Sequence, residues 1–247
     1  MTTGAEYKVK EVTQGSAAGA YRALMYGDMS LGKVIWAEIL FTLLGGLGGA
    51  VGLFLRMKLY PTLFKSCGRK VVFGRNVTIR HPHKIVLGDG VVLDDNCLVD
   101  AKGAGNTGII LHERVYVGRN TLIYCKNGDI EIGANVSLSA NCVIFSANQI
   151  TLQPNSVVAA FVYLLSGGEY DLADPTPFAF QKGTCTKGPL TIGADCWIGA
   201  GAKVLDGASL GDRVVLGAGA VATKPVPAHS IAVGVPARVI KTRQVPG

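Results

Sequence analysis

The chain has 247 residues, of which 49% are apolar and only 7% aromatic, and it carries a formal net charge of +7. This length suits one large core or one long solenoid, and the few aromatic side chains favour narrow, repetitive packing over a sandwich with large aromatic anchors. Six cysteines without a CxxC pair argue against a zinc ribbon or a disulfide framework, and the lack of an aromatic-rich basic patch argues against nucleic-acid binding.

An apolar segment lies near the N-terminus, where residues 34–55 read VIWAEILFTLLGGLGGAVGLFL. A bilayer-spanning helix needs about 20 apolar residues, so this segment is long enough to cross. The glycine-rich stretch at 45–49 is compatible with a close helix contact or with a break that turns the segment back. Three interpretations therefore stay open: a single span, a re-entrant or interfacial anchor, and a buried helix of a soluble fold.

Positive charge is concentrated around this segment. Residues 1–70 contain nine lysines and arginines against four acidic residues, and five of the basic ones follow the apolar run. This arrangement favours an anionic membrane surface, and the positive-inside rule then puts residues from 56 onward in the cytoplasm. We predict that residues 1–70 form a membrane-associating helical region, that residues 34–58 contact membrane lipids, and that the protein lies at the cytoplasmic face of the inner membrane.

A six-residue period dominates the chain from Phe73 onward. An aliphatic residue opens each hexad, as at Leu87, Leu93 and Val99, and a small or β-branched residue takes the fifth position. Two inward positions per hexad describe a short strand followed by a tight turn, and three such strands close one triangular coil. The pattern predicts an all-β solenoid, a parallel β-helix over residues 71–224, followed by a C-terminal cap and tail over 225–247.

Breaks in the period fall at one place in the coil. Sorting the hexads into threes puts every insertion between triplets, including the longer ones at about 101–108 and 166–189. Insertions on one face of a solenoid often form its binding face, so we expect loop 166–189 to contribute to the functional site. Cys97, Cys142 and Cys196 take the small inward position and are predicted to be core residues.

The stretch from residue 188 to residue 241 closely resembles the C-terminal coils of hexapeptide-repeat acyltransferases of the galactoside, maltose, serine and polysaccharide-modifying group. The matching blocks are WIGAGAKVLDG, LGAGAVATK and VGVPARVI. Residues 56–100 further resemble a branch found with cell-surface polysaccharide genes. The resemblance implies a left-handed β-helix, a homotrimer, and acetyl-CoA or another acyl-CoA bound as co-substrate between subunits, with no metal.

The resemblance also implies which residues would hold the co-substrate. Backbone groups of the C-terminal coils would hold the pantetheine arm, and basic residues near the end would meet the nucleotide phosphates. The corresponding positions in this sequence are Trp197, Gly199, Ala200, Ala218, Thr223, Lys224, Arg238 and Lys241. Turn geometry explains the glycines and alanines equally well, whereas the charges of Lys224 and Arg238 are not needed for folding.

Acyl transfer to a hydroxyl needs a base, which the family that the chain resembles supplies as a histidine after two glycines in the loop. Here the loop reads SGGEYDLADP: alignment on the glycines puts Glu169 at that position, and alignment on the Asp-Pro pair puts Tyr170 there. We predict a catalytic group of Glu169, Tyr170 and Asp171, in which burial would have to raise the pKa of Glu169. His112, three triplets before the C-terminal block, is a second candidate for the base.

Two functions remain open from the sequence. The first is a membrane-associated O-acyltransferase, with acetyl as the expected group, that acts on a sugar hydroxyl of a polysaccharide or lipid-linked precursor. The second is a non-catalytic trimer that serves as a scaffold or binding module at the membrane, because the family histidine is missing. Metal-assisted chemistry is disfavoured, since no three histidines fall on adjacent coils.

Overall fold

A computed structural model of the chain describes residues 16–168, 170–178, 180–181 and 185–243. Helical elements come first, and short strands fill the rest of the described chain. The α-helices are α1 (Ala17–Met25), α2 (Leu31–Leu44) and α3 (Gly49–Leu59), and two 3-10 helices lie at Tyr60–Leu63 and Pro82–Lys84.

The strands form three sheets, which we call A, B and C. Sheet A contains β1 (Ser66–Cys67), β4 (Ile85–Leu87), β7 (Ile109–Leu111), β10 (Asp129–Ile132), β13 (Gln149–Leu152) and β16 (Leu190–Ile192). Sheet B contains β2 (Val72–Phe73), β5 (Val92–Leu93), β8 (Tyr116–Val117), β11 (Ser137–Leu138), β14 (Val157–Val158), β17 (Trp197–Ile198), β19 (Val215–Leu216), β21 (Ser230–Val233) and β22 (Arg238–Thr242). Sheet C contains β3 (Thr78–Arg80), β6 (Leu98–Asp100), β9 (Leu122–Cys125), β12 (Val143–Ser146), β15 (Tyr163–Ser166), β18 (Lys203–Val204) and β20 (Val221–Ala222).

The chain visits sheets A, B and C in turn and then returns to A, so three strands make one coil. Each strand pairs in parallel with its counterpart in the next coil, as Ile130 does with Ile150. In the last coils sheet A is reduced to isolated bridges at Leu210 and Val226, and β22 closes the end by pairing antiparallel with β21. The prediction of a parallel solenoid is confirmed, and its first coil begins at β1, ahead of the predicted boundary at residue 71.

The core is a column of the two inward positions of every hexad. Aliphatic first positions such as Leu111 and Ile132 stack on one another and are fully buried. The predicted core cysteines Cys97, Cys142 and Cys196 are also buried, and all three are free thiols. Burial raises the pKa of the Cys97 thiol to about 11, so this group stays protonated and serves packing rather than nucleophilic chemistry.

The N-terminal helices cover the first coil, and Arg56 of α3 ties them to it. Its guanidinium donates to the carbonyl of Phe73 (2.9 Å) and to those of Leu44 (2.9 Å) and Leu47 (2.6 Å). The side chain is only 2% exposed. Arg56 was expected among the basic residues that face anionic lipid, and this expectation is wrong for it. Its charge is used internally because two of its acceptors, the carbonyls of Leu44 and Leu47, lie at the end of α2 and in the break that follows, where regular helical hydrogen bonding stops.

Replacing Arg56 by methionine is expected to lower the free energy of unfolding by about 3 kcal/mol, because the buried carbonyls of Phe73 and Leu44 and the part-buried carbonyl of Leu47 lose their charged donor. Urea unfolding followed by circular dichroism would measure this loss. The matched control is Arg75→Met, which removes an exposed pair with Asp95 (3.1 Å) and should cost about 0.5 kcal/mol or less. Equal losses in the two variants would contradict the buried role of Arg56.

The apolar segment occupies two helices rather than one. Residues 34–55 fall in α2 and α3, which have 14 and 11 residues and meet at a break around Gly48. Within the described ranges, no helix combines the length and the apolar character that crossing a membrane requires. The predicted membrane association is therefore not confirmed by the fold.

Candidate active site

The loop predicted to form the site, residues 166–189, leaves the solenoid after β15 and returns to it before β16. A single carboxylate holds its two ends together. Asp206 accepts from the backbone N–H of Gly167 (2.6 Å) through Oδ1 and from that of Lys187 (2.5 Å) through Oδ2, and the Thr186 hydroxyl lies 3.2 Å from Oδ1. Because Asp206 is only 2% exposed, these contacts operate away from water and fix where the loop begins and ends.

Two further features set the direction in which the loop leaves the coil. Gly167 and Gly168 have φ values of +83° and +92°, a backbone region that glycine enters without steric cost. A Cβ at Gly168 would lie 3.0 Å from the Phe145 ring. Asn148 donates to Thr186 Oγ1 (3.2 Å) on the returning side. These contacts fix the two ends of the loop where they join the solenoid. Asp206, which makes most of them, was not predicted from the sequence.

The predicted catalytic residues lie at the start of this loop. Glu169 falls outside the described residues, so its role stays a prediction. Tyr170 is exposed, and its ring centroid is 5.5 Å from that of Phe178. Asp171 Oδ1 accepts from the Ala173 N–H (2.9 Å), so its carboxylate shapes a turn inside the loop. The roles of Tyr170 and Asp171 in catalysis also stay predictions.

Four of the predicted acyl-CoA residues lie together at the junction of sheets B and C, on two adjacent coils. Trp197 is exposed on the outer face of β17, and the stretch that follows it stacks on the next coil. Gly199 N–H donates to Leu216 O (2.7 Å), and a Cβ there would lie 2.5 Å from the Ala218 nitrogen. Coil stacking therefore accounts for Gly199 whether or not a ligand binds. Ala200 completes the group, since its carbonyl accepts from Gly219 N–H (2.8 Å).

The other four residues lie at the C-terminal end. Thr223 and Lys224 follow β20, and Arg238 and Lys241 lie in β22; all four are exposed. The Ala237 N–H donates to Val221 O (2.8 Å), which brings the start of β22 alongside β20. The three cationic side chains therefore share one end of the solenoid, as an anionic nucleotide would require. Binding of a nucleotide by these residues remains a prediction.

The structure does not bring His112 to the loop. Its Nε2 lies 2.8 Å from Glu131 Oε1, and both side chains are partly exposed. His112 follows β7, at the junction of sheets A and B, whereas the loop connects sheets C and A two coils later. In the described ranges no group of three or more His, Cys, Asp or Glu residues is placed to hold a metal ion.

Comparison with known proteins supports the assignment of hexapeptide repeats. Residues 189–224 match the family described as bacterial transferase hexapeptide (six repeats). A putative acetyltransferase of Staphylococcus aureus (strain MRSA252) is 34% identical over 114 residues, which are 46% of this chain and 55% of the relative. The galactoside O-acetyltransferase of Escherichia coli (strain K12) is 32% identical over 131 residues, which are 51% of this chain and 62% of that enzyme. The chain thus spans about half the length of the curated relatives it matches.

The fold also occurs in solved structures. The crystal structure of AntD, an N-acyltransferase from Bacillus cereus in complex with dTDP and 3-hydroxybutyryl-CoA, matches with a TM-score of 0.51 at 20% identity. The match covers 78% of this chain and 90% of that chain. At this identity the likeness establishes the fold and no more. The chain is therefore a left-handed parallel β-helix of hexapeptide repeats, similar over about half its length to curated acetyltransferases.

Proposed function

We propose that this protein is an acyl-CoA-dependent O-acyltransferase that transfers an acetyl group to a hydroxyl of a sugar. The observation that carries the proposal is the loop 166–189, which Asp206 clamps to the coil that bears the WIGAGAKVLDG block. Asp206 itself belongs to that block. The loop carrying the predicted base and the coils carrying the predicted acyl-CoA residues are thus one unit. The similarity to acetyltransferases, including galactoside O-acetyltransferase, supports our choice of the acyl group and of the sugar class.

Acyl transfer from a thioester requires a base and a correctly positioned thioester carbonyl. The acceptor hydroxyl attacks the thioester carbonyl, a C–O bond forms, and the C–S bond then breaks to release CoA. In our proposal Glu169 takes the hydroxyl proton and passes it to the departing thiolate sulfur. The cations at the C-terminal end, among them Lys224 and Arg238, would offset the charge of the CoA phosphates.

The site is completed by neighbouring subunits in our proposal of a homotrimer. The outer face of sheet C carries aromatic and aliphatic side chains beside the loop. Tyr124 and Phe145 lie with ring centroids 4.9 Å apart, and Phe161 is exposed at the turn that leads into β15. An outward apolar face of this kind is a surface that association would bury. Light scattering of the purified protein tests the trimer directly.

The decisive experiment offers the purified protein labelled acetyl-CoA with and without sugar acceptors. We expect binding in the micromolar range, slow hydrolysis alone and faster transfer with a suitable sugar. The absence of binding at high micromolar acetyl-CoA would contradict an acyltransferase. Binding without transfer or hydrolysis would favour the second candidate, a non-catalytic trimer at the membrane, for which the missing loop histidine is the specific observation.

The proposal includes attachment to the cytoplasmic face of the inner membrane, where a polysaccharide or lipid-linked acceptor would be met. The support is an exposed apolar stripe on α2 at four-residue spacing, with exposures between 44% and 67%, formed by Leu31, Ile35, Ile39 and Leu43. It continues into α3 at Val51 and Phe54, and the Lys58 ammonium lies 5.7 Å from the Phe54 ring centroid. Helices with an apolar face and basic flanks lie in the plane of anionic membranes.

Introducing negative charge into the stripe tests this attachment. The double variant Leu43→Glu, Phe54→Glu is expected to bind vesicles of phosphatidylglycerol and phosphatidylethanolamine at least tenfold more weakly, because it adds two anions to the apolar face. Co-sedimentation measures the bound fraction. Leu172→Glu is the control, since Leu172 is equally apolar and more exposed but lies in the loop. If the wild-type protein does not bind such vesicles, the proposed membrane attachment is wrong.

A further inference from the structure

A cavity of about 300 Å³ lies between α1, α2 and the first coil, and no step above uses it. Its polar lining residues are Tyr21, Tyr26, Glu38, Tyr60, Asn76 and Thr78. Neighbouring coils of a parallel sheet are about 4.8 Å apart, so the four coils to loop 166–189 put it about 19 Å from that loop. It is therefore separate from the candidate active site.

The first feature of this cavity is a carboxylate that two tyrosines orient. Tyr21 and Tyr26 both donate their hydroxyl protons to Glu38 Oε1, at 2.6 Å and 2.7 Å. Burial and this bond raise the pKa of Tyr26, so it remains a donor. Glu38 Oε2 has no hydrogen-bond partner among the described residues. The carboxylate thus lines the cavity with one oxygen that is not used by either tyrosine, although Glu38 lies within an apolar helix.

The second feature is a buried hydroxyl that the fold leaves unpaired. Tyr60 is only 1% exposed, and its ring packs against Phe41 and Phe73 with centroid distances of 5.4 Å each. Its Oη has no hydrogen-bond partner in the described part of the chain. A phenylalanine would fill the same space without leaving a buried hydroxyl unsatisfied, which costs about 1–3 kcal/mol. The Tyr60 hydroxyl is therefore an unpaired polar group beside the cavity.

The third feature is the glycine pair that ends α2. The Asn76 N–H donates to Gly45 O (2.8 Å), which docks the helix end on the first coil. A Cβ at Gly46 would lie 3.6 Å from Asn76 Oδ1, an ordinary contact that would narrow the cavity without a backbone clash. Glycine keeps this side open. Met25 and Phe41 supply an apolar wall.

We infer that this cavity binds a single neutral sugar ring. The negative charge of Glu38 would repel an anion. A cation would bind only weakly, because Glu38 Oε1 already accepts hydrogen bonds from Tyr21 and Tyr26. A sugar ring instead offers hydroxyls that donate to Glu38 Oε2 and accept from Tyr60 Oη, and an apolar C–H face that lies against Phe41. The inference does not rest on the proposed acyl transfer, because binding here needs no CoA.

The test uses the full-length protein and free methyl glycosides of glucose, galactose, mannose and N-acetylglucosamine, without CoA. Saturation-transfer NMR and calorimetry should show that at least one of them binds in the millimolar range. Tyr60→Phe should weaken that binding about fivefold and Glu38→Gln tenfold or more, since each removes one hydrogen bond and the second also removes a charge. Thermal unfolding should show Tyr60→Phe to be at least as stable as the wild type, so weaker binding could not be blamed on misfolding.

Tyr163→Phe is the matched control, because Tyr163 lies on β15, outside the cavity. Its sugar affinity should equal that of the wild type. Three outcomes would overturn the inference: no glycoside binds, both cavity variants bind as well as the wild type, or choline binds in place of the sugars. A protein that binds glycosides here yet fails to bind acetyl-CoA would retain this site and lose the proposed activity, which keeps the two failures apart.

Discussion

Glu169→Gln is expected to lower the rate of acyl transfer by about 10²–10⁴-fold while acetyl-CoA binding stays within about twofold. Glutamine keeps the size and one oxygen of the side chain but takes up no proton at neutral pH. If Glu169 is the base, the substitution slows only the chemical step and leaves acetyl-CoA binding unchanged. Initial rates with labelled acetyl-CoA and equilibrium binding of the same compound measure the two quantities separately.

The companion variant Glu169→His distinguishes a base from a structural residue. An imidazole titrates near pH 6.5, so this variant should retain transfer and show a rate that rises through that pH. Tyr170→Phe should cost less than tenfold if Tyr170 only donates a hydrogen bond to the site. Unchanged transfer in Glu169→Gln would contradict the assignment, and the same assay on His112→Ala would then decide whether that residue is the base.

The sequence was sufficient for the solenoid because its signal is repeated. The same pair of inward positions recurs in every coil, so a misassigned hexad is recognised from its neighbours. Once the hexads are assigned, the insertions all fall at one corner of the coil. The same logic identified Cys142 as a core residue. Handedness came from resemblance alone, since nothing in the spacing of the hexads encodes it.

Residues whose partners are distant in sequence were not predictable. Asp206 looks like an ordinary strand-end turn residue, and its three partners lie 19 to 39 positions away. Arg56 follows an apolar run and was therefore assigned to a lipid surface, but it turns inward to the helix-ending carbonyls. In both cases a charged side chain forms hydrogen bonds with backbone atoms, and no local sequence pattern predicts such a pairing.

Asp206→Ala is expected to reduce kcat/KM for transfer by about 10²-fold, although Asp206 is a positioning residue rather than a catalytic one. The change removes the acceptor that the N–H groups of Gly167 and Lys187 share, and with it the clamp between the two ends of the loop. A displacement of about 1 Å in a reacting group can cost that factor. The loss should appear mainly in kcat, because Asp206 bonds to Gly167, Thr186 and Lys187 of the loop and to none of the predicted acyl-CoA residues.

Asp129→Ala is the matched control for the clamp. Asp129 Oδ1 accepts from the Gly108 N–H (2.7 Å) and so holds the end of the other long insertion at the same corner of the solenoid. It should lose less stability than Asp206→Ala, because Asp129 makes one such contact and Asp206 makes three, and it should keep kcat within about threefold, since only the loop 166–189 carries the predicted base. Limited proteolysis should cut Asp206→Ala inside that loop and spare the control. Similar kcat values in the two variants would separate the clamp from catalysis and leave loop 166–189 without a part in the reaction.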